Sequence, residues 1–119
     1  EDTPVASARQ QLGRNKIIGA TCHGSQALAE AAIDQGANYL AFGRFFPSRT
    51  KPDALPADLE ALRPFLQRCP LPTVAIGGIT LNNATPLIDA GFNMLAVIND
   101  LFDRADTEQH CQRYSTLFQ

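Results

Sequence analysis

The sequence predicts an α/β protein built on a parallel sheet. Four short apolar runs recur along the chain, helical periodicities lie between them, and turn residues mark each switch from one to the other. The runs are KIIGAT (16–21), YLAFG (39–43), TVAIGG (73–78) and MLAVIN (94–99). Their length and flanks fit strands buried on both faces, the pattern of a parallel sheet.

The elements follow in order. TPVASARQQLG (3–13) predicts a helix with Thr3 as cap, Pro4 at the first helical position and Gly13 at the exit. After the first apolar run, Ser25 caps a helix on which Leu28, Ala31 and Ala32 share a face, and Gly36 follows its last turn. After the second, Leu59, Leu62, Phe65, Leu66 and Cys69 form one stripe, with Pro64 inside it expected to kink or split the helix. After the third, Thr80 is the expected cap of a helix that ends before Gly91 and contains Pro86. Asp106 or Thr107 opens the last helix, with Cys111, Tyr114 and Phe118 facing inward.

The order is one helix and then four βα units. Strict alternation implies right-handed crossovers, so the candidates are a doubly wound sheet and part of a (β/α)8 barrel. A chain that opens on a helix reads as starting inside a unit, and a full barrel takes about 250 residues. The expectation is half of one barrel, a single unit over residues 1–119.

Composition bounds the function. At 119 residues and 45% hydrophobic, the chain can bury a core, and a net charge of -2 gives no basic footprint for nucleic acid. No apolar run approaches the roughly 20 residues of a membrane span, and EDTPVASARQ lacks the features of a signal peptide. These features lead to the expectation of a cytoplasmic protein with a small-molecule partner, with neither nucleic acid nor membrane. Cys22, Cys69 and Cys111 are odd in number and widely spaced, which fits reduced structural thiols rather than a disulfide framework or a CxxC site.

In parallel α/β folds the ligand sits at the carboxyl ends of the strands. The third run ends in Gly77-Gly78 with Thr80 close behind, where backbone N–H groups could bind an anion, although a glycine pair can equally make a tight turn. The fourth ends in Ile98-Asn99, and loops after the last two strands are the recurrent phosphate site of such barrels. In FGRFFPSRTKPDA (42–54), Ser48, Thr50 and Lys51 offer two hydroxyls and a cation suited to phosphate or pyrophosphate, or else a solvated loop. Thr21, Cys22 and His23 close the first strand. Neighbours on a strand point to opposite faces, so Cys22 and His23 are poorly placed as a nucleophile pair, and Thr21 is preferred as a hydroxyl donor. His110 and Cys111 read as packing or surface residues.

Taken together, ED at the start, IIGATCH, DQGANYLAFGRFFPSRTKPDA, VAIGGIT and MLAVIND resemble the thiamine-phosphate synthase family, in the same order and over nearly the whole chain. The resemblance implies a (β/α)8 barrel of which this chain is the C-terminal half. It implies a transferase that joins hydroxymethylpyrimidine pyrophosphate to a thiazole phosphate with Mg2+, giving thiamine phosphate and pyrophosphate. It assigns Asp2 to Mg2+, Thr21 to the pyrophosphate, Ser48 and Thr50 to the thiazole phosphate, and Lys51 to the charge of the pyrophosphate. Gly78, Ile98 and Asn99 match the backbone cradle of the thiazole phosphate.

Some residues depart from the family pattern. Arg44 stands where many members have proline, and Thr21 and Asn99 replace serines. The family's Gln-x-Arg-x-Lys segment and its first Mg2+ aspartate lie on earlier strands, so the chain alone is expected to be inactive without an N-terminal half or a second copy. Two rival readings are a thiazole tautomerase relative, with a histidine at the position of His23 but typically no Thr-Lys pair, and a non-catalytic phosphate-binding half-barrel.

Overall fold

The computed structural model describes residues 4–46, 58–97, 100 and 105–118. Four strands, β1 (Gly19–Thr21), β2 (Tyr39–Phe42), β3 (Thr73–Ile76) and β4 (Met94–Ala96), form one parallel sheet in the order β1-β2-β3-β4. Among the described residues five helices accompany them: α1 (Val5–Leu12), α2 (Gln26–Asp34), α3 (Leu59–Arg68), α4 (Thr85–Ala90) and α5 (Thr107–Leu117). Among the described strands the spatial order is the sequence order, with no switch point of the kind that marks a doubly wound sheet.

The centre of the sheet carries the core. Leu40 and Phe42 of β2 and Ala75 of β3 are fully buried with Leu62 and Phe65 of α3 and Leu87 of α4. Phe42 meets Phe65 and Phe92 edge to face at 6.1 and 5.9 Å between ring centroids, and Phe45 meets Phe92 at 5.5 Å. Burial on both faces holds for β2 but not for β1 or β4, where Gly19, Thr21, Met94 and Ala96 are exposed. Among the described residues those two strands have a neighbour on one side only, and so bury less.

Two strands begin with the same device. The motif Asp-x-Gly-x-Asn occurs at Asp34-Gly36-Asn38 and again at Asp89-Gly91-Asn93, each time leading from a helix into a strand. The Asn38 N–H donates to the Ile18 carbonyl and its Oδ1 accepts from the Ile18 N–H, both at 2.7 Å. Asn93 makes the same reciprocal pair with Thr73, at 3.1 and 2.8 Å, and accepts the Thr73 hydroxyl as well. Each carboxamide adds one rung to the parallel ladder and satisfies an amide at the start of the neighbouring strand. Arg9 of α1 ties into the first of these latches, donating to the Gly13, Lys16 and Gly36 carbonyls and to Asn38 Oδ1 at 2.6–2.8 Å.

Several local expectations are revised. On α2, Ser25 caps by accepting the Leu28 N–H at 3.1 Å, but the buried face is Ala29 and Ala32, while Leu28 is 49% exposed. Small side chains let this helix lie close against the sheet. Pro64 does not split α3, which runs unbroken from Leu59 to Arg68 with Leu62, Phe65 and Leu66 of the predicted stripe buried and the proline on the exposed face. Thr80 opens a turn rather than a helix: α4 starts at Thr85, and Pro86 lies in its first turn, where no amide is needed. On α5 the buried residues are His110 and Tyr114, whereas Cys111 and Phe118 are exposed. Thr3, the expected cap of α1, lies outside the described residues.

Replacing Asn93 with alanine leaves the buried Thr73 N–H and hydroxyl without their acceptor. The expected loss is about 1–3 kcal/mol of unfolding free energy, read from urea midpoints, with unchanged helix content in the surviving folded state.

Candidate active site

All four strands run the same way, so their carboxyl ends share one face of the sheet, and Thr21, Gly43 and Gly77-Gly78 lie there. Thr21, the last residue of β1, is exposed, as a hydroxyl donor at that face must be. Thr21 lies two strands away from β3 and in register with Val74, so the Gly77-Gly78 turn stands further along the sheet than the Thr21 hydroxyl. Of the other expected site residues, Asp2, Ser48, Thr50, Lys51, Ile98 and Asn99 lie outside the described residues.

The Gly77-Gly78 turn is the best-defined part. Both glycines have positive φ, 92° and 71°, a conformation that side-chain-bearing residues rarely adopt. Two such residues in succession make a tight turn at the strand end, and their lack of side chains leaves the backbone open to close approach by a ligand. Asn83 fixes the turn from within: its Nδ2 donates to the Gly78 carbonyl at 3.0 Å and its Oδ1 accepts the Thr80 N–H at 2.8 Å. Ile79, 4% exposed, anchors the same segment in the core.

A buried polar cluster holds the turn from outside. Asp100 Oδ2 accepts the Leu81 N–H at 3.1 Å, the Tyr114 hydroxyl at 2.6 Å and His110 Nε2 at 2.7 Å. Arg113 Nη1 lies 3.0 Å from His110 Nδ1 and, being a donor only, assigns the imidazole as an acceptor there and a donor at Nε2. Burial alone would raise the Asp100 pKa, but the hydrogen bonds from Tyr114, His110 and the Leu81 amide outweigh it and hold the carboxyl below its ordinary value. One carboxylate thereby joins the segment after β4, the turn after β3 and α5.

Asn83 and Asp100 are the residues that sequence reasoning missed. Asn83 had only the general signal that Asn favours turns, where its carboxamide can bond nearby backbone. Asp100 had none, because its partners are 10, 14 and 19 residues away. His110, expected as packing or surface, is buried and hydrogen-bonded.

The thiol next to Thr21 is withdrawn from solvent. Cys22 is 1% exposed, and burial, helped by the nearby Cys69, pushes its pKa up to about 11. His23 is exposed, and the Cys22 thiol is directed to the Ala20 carbonyl, 3.7 Å away. Among the described residues no group of three His, Cys, Asp or Glu could hold a metal ion. No helix among them is long and apolar enough to cross a membrane.

Two outcomes follow from these environments. With a folded pKa below the unfolded one, Asp100 contributes stability in full above the ordinary carboxylate pKa of about 4 and loses it as pH falls through the folded value. The stability advantage of the native protein over Asp100→Asn, measured by urea unfolding, should therefore shrink between pH 7 and pH 3. In thiol titration at pH 7–8, the exposed Cys111 should react first and Cys22 only on unfolding.

The family model described as thiamine monophosphate synthase matches residues 1–101. The thiamine-phosphate synthase of Methylobacillus flagellatus is 49% identical over 99% of this chain and 56% of its own length. That of Alcanivorax borkumensis is 51% identical over 90% of this chain and 49% of its own. Among solved structures, a thiamine phosphate pyrophosphorylase from Pyrococcus furiosus superposes with a TM-score of 0.85 at 33% identity, covering 99% of this chain and 55% of that one. A structure titled native KDPGal superposes at 0.66 with 21% identity, a likeness of fold alone. The chain thus spans about half the length of the curated relatives it matches, and on the family match over residues 1–101 it belongs to the thiamine monophosphate synthase family.

Proposed function

We propose that this chain is the C-terminal half of a (β/α)8-barrel thiamine-phosphate synthase and supplies the phosphate-binding side of its active site. The observation that carries the reading is the rigid Gly77-Gly78 turn at the carboxyl end of β3, in a parallel sheet whose strands follow one another in sequence order. Near 50% identity to synthases along nearly the whole chain supports the same reading.

In this reading the backbone at Gly78, Ile98 and Asn99, with the Ser48 and Thr50 hydroxyls, binds the thiazole phosphate. Thr21 and Lys51 take the pyrophosphate of the pyrimidine substrate. The carbon–oxygen bond to that pyrophosphate ionises, and the thiazole nitrogen forms the new carbon–nitrogen bond. Lys51 stabilises the charge left on the departing oxygens, the principal demand of such a step. Asp2 has the oxygen chemistry that suits a hard cation, and a Mg2+ held there largely by substrate phosphates would supply further charge neutralisation.

The partner is an N-terminal half-barrel. Large exposed apolar residues occur around both outer strands: Ile17 before β1 is 79% exposed, and on the other side Met94 of β4 is 41% and Phe118 after α5 46% exposed. A cleft of about 250 Å3 opens between β4 and α5, lined by Leu95, Val97, Tyr114 and Phe118. These surfaces are suited to packing against further βα units.

The test is a synthase assay with both substrates and Mg2+. The chain alone should give no turnover and should gain it when the N-terminal half of a relative is supplied. In the reconstituted enzyme, Lys51→Ala should lower kcat by about 10²–10³-fold, as expected for loss of a group that stabilises developing charge. Turnover unaffected by that substitution would refute the role of Lys51.

A further inference from the structure

We infer that Arg44 is an additional anion-binding residue of this site, held over the Gly77-Gly78 turn so that its guanidinium meets a phosphate bound there. The inference rests on the reading of that turn as a phosphate site and adds to it a side-chain cation. Backbone N–H groups at the turn supply only partial positive charge, and a guanidinium adds a full one.

The geometry begins at Gly43. A side chain there would collide with the Ile76 carbonyl, so the end of β2 lies directly against the end of β3. The next residue is thereby delivered onto the turn that follows β3. A Cβ built on Gly77 would stand 2.6 Å from Arg44 Cγ, 2.8 Å from its Cβ and 3.1 Å from its Cδ, so the arginine stem occupies the space that a side chain at 77 would need. Gly77 is required twice over, by its φ and by the stem above it.

Arg44 is half-buried, and its Nε is shielded from solvent. A packed stem restricts the guanidinium, so ordering it around a ligand costs less than ordering a free surface arginine. Among the described residues at these strand ends, Thr21 and Thr80 bring hydroxyls, His23 a titratable ring, and Arg44 the permanent positive charge. A planar guanidinium matches phosphate oxygens two at a time, which favours a phosphate ester or pyrophosphate over a carboxylate of lower charge.

The test is titration of the chain with inorganic phosphate and, separately, pyrophosphate, followed through the Gly77 and Gly78 amide resonances. Arg44→Met keeps the stem and removes the charge, Arg44→Lys keeps the charge without the fork, and Gly78→Val disables the turn. Arg44→Met should weaken binding at least tenfold and flatten its salt dependence, with Arg44→Lys intermediate and the melting temperature of both close to wild type. Should the methionine variant fail to fold, Arg44→Gln answers the same question. Wild-type affinity in the charge-free variant, with binding lost in Gly78→Val, would overturn the role of Arg44 and leave the turn as the phosphate site. No response of the wild-type amides to either anion would overturn both.

Discussion

Every strand of a parallel sheet starts from the same end, so each helix must return the chain to that end with its first amides satisfied. Here the return is fixed by a carboxamide. Asn38 and Asn93 each trade two hydrogen bonds with the residue opposite, one through the backbone and one through the side chain, and so set the register from which Leu40, Phe42 and Ala75 reach the core. A one-residue slip would exchange the two faces of a strand, so a latch at its first residue constrains everything after it.

The opposite end of the sheet uses the same chemistry for a different purpose. Asn83 again bonds through both ends of its carboxamide, but within one turn, holding Gly77 and Gly78 in left-handed conformations. Asp100 then fastens that turn to α5. Latches at one end set the register, and clamps at the other hold the Gly77-Gly78 turn in place.

The two outer strands are unlike the inner pair. β2 is buried almost throughout, whereas β1 and β4 each expose their first and last residues, which share one face, with apolar side chains nearby. Among the described residues these parallel edges are suited to covering by further βα units, and the family to which the chain belongs has members about twice its length. In the proposed reading the charge of Arg44 fits the same division, since a half-site that is to bind phosphate needs its own cation.

The sequence by itself determined the alternation of strand and helix, the parallel sheet and the helix stripe Leu62-Phe65-Leu66, because these rest on local periodicity and on composition. Its motifs also carried the family. The turn at Thr80 lay within local reach, since its amide bonds Asn83 three residues on, whereas only the tertiary structure fastens that turn to Asp100. It also decided that His110 rather than Cys111 faces inward, because a carboxylate ten residues upstream comes to meet the imidazole. The position of Arg44 over Gly77 was likewise beyond the sequence: 33 residues separate them, and only the pairing of β2 with β3 brings a glycine without a side chain beneath an arginine stem. Contacts between elements depend on how strands register and helices lean, and local pattern carries no record of either.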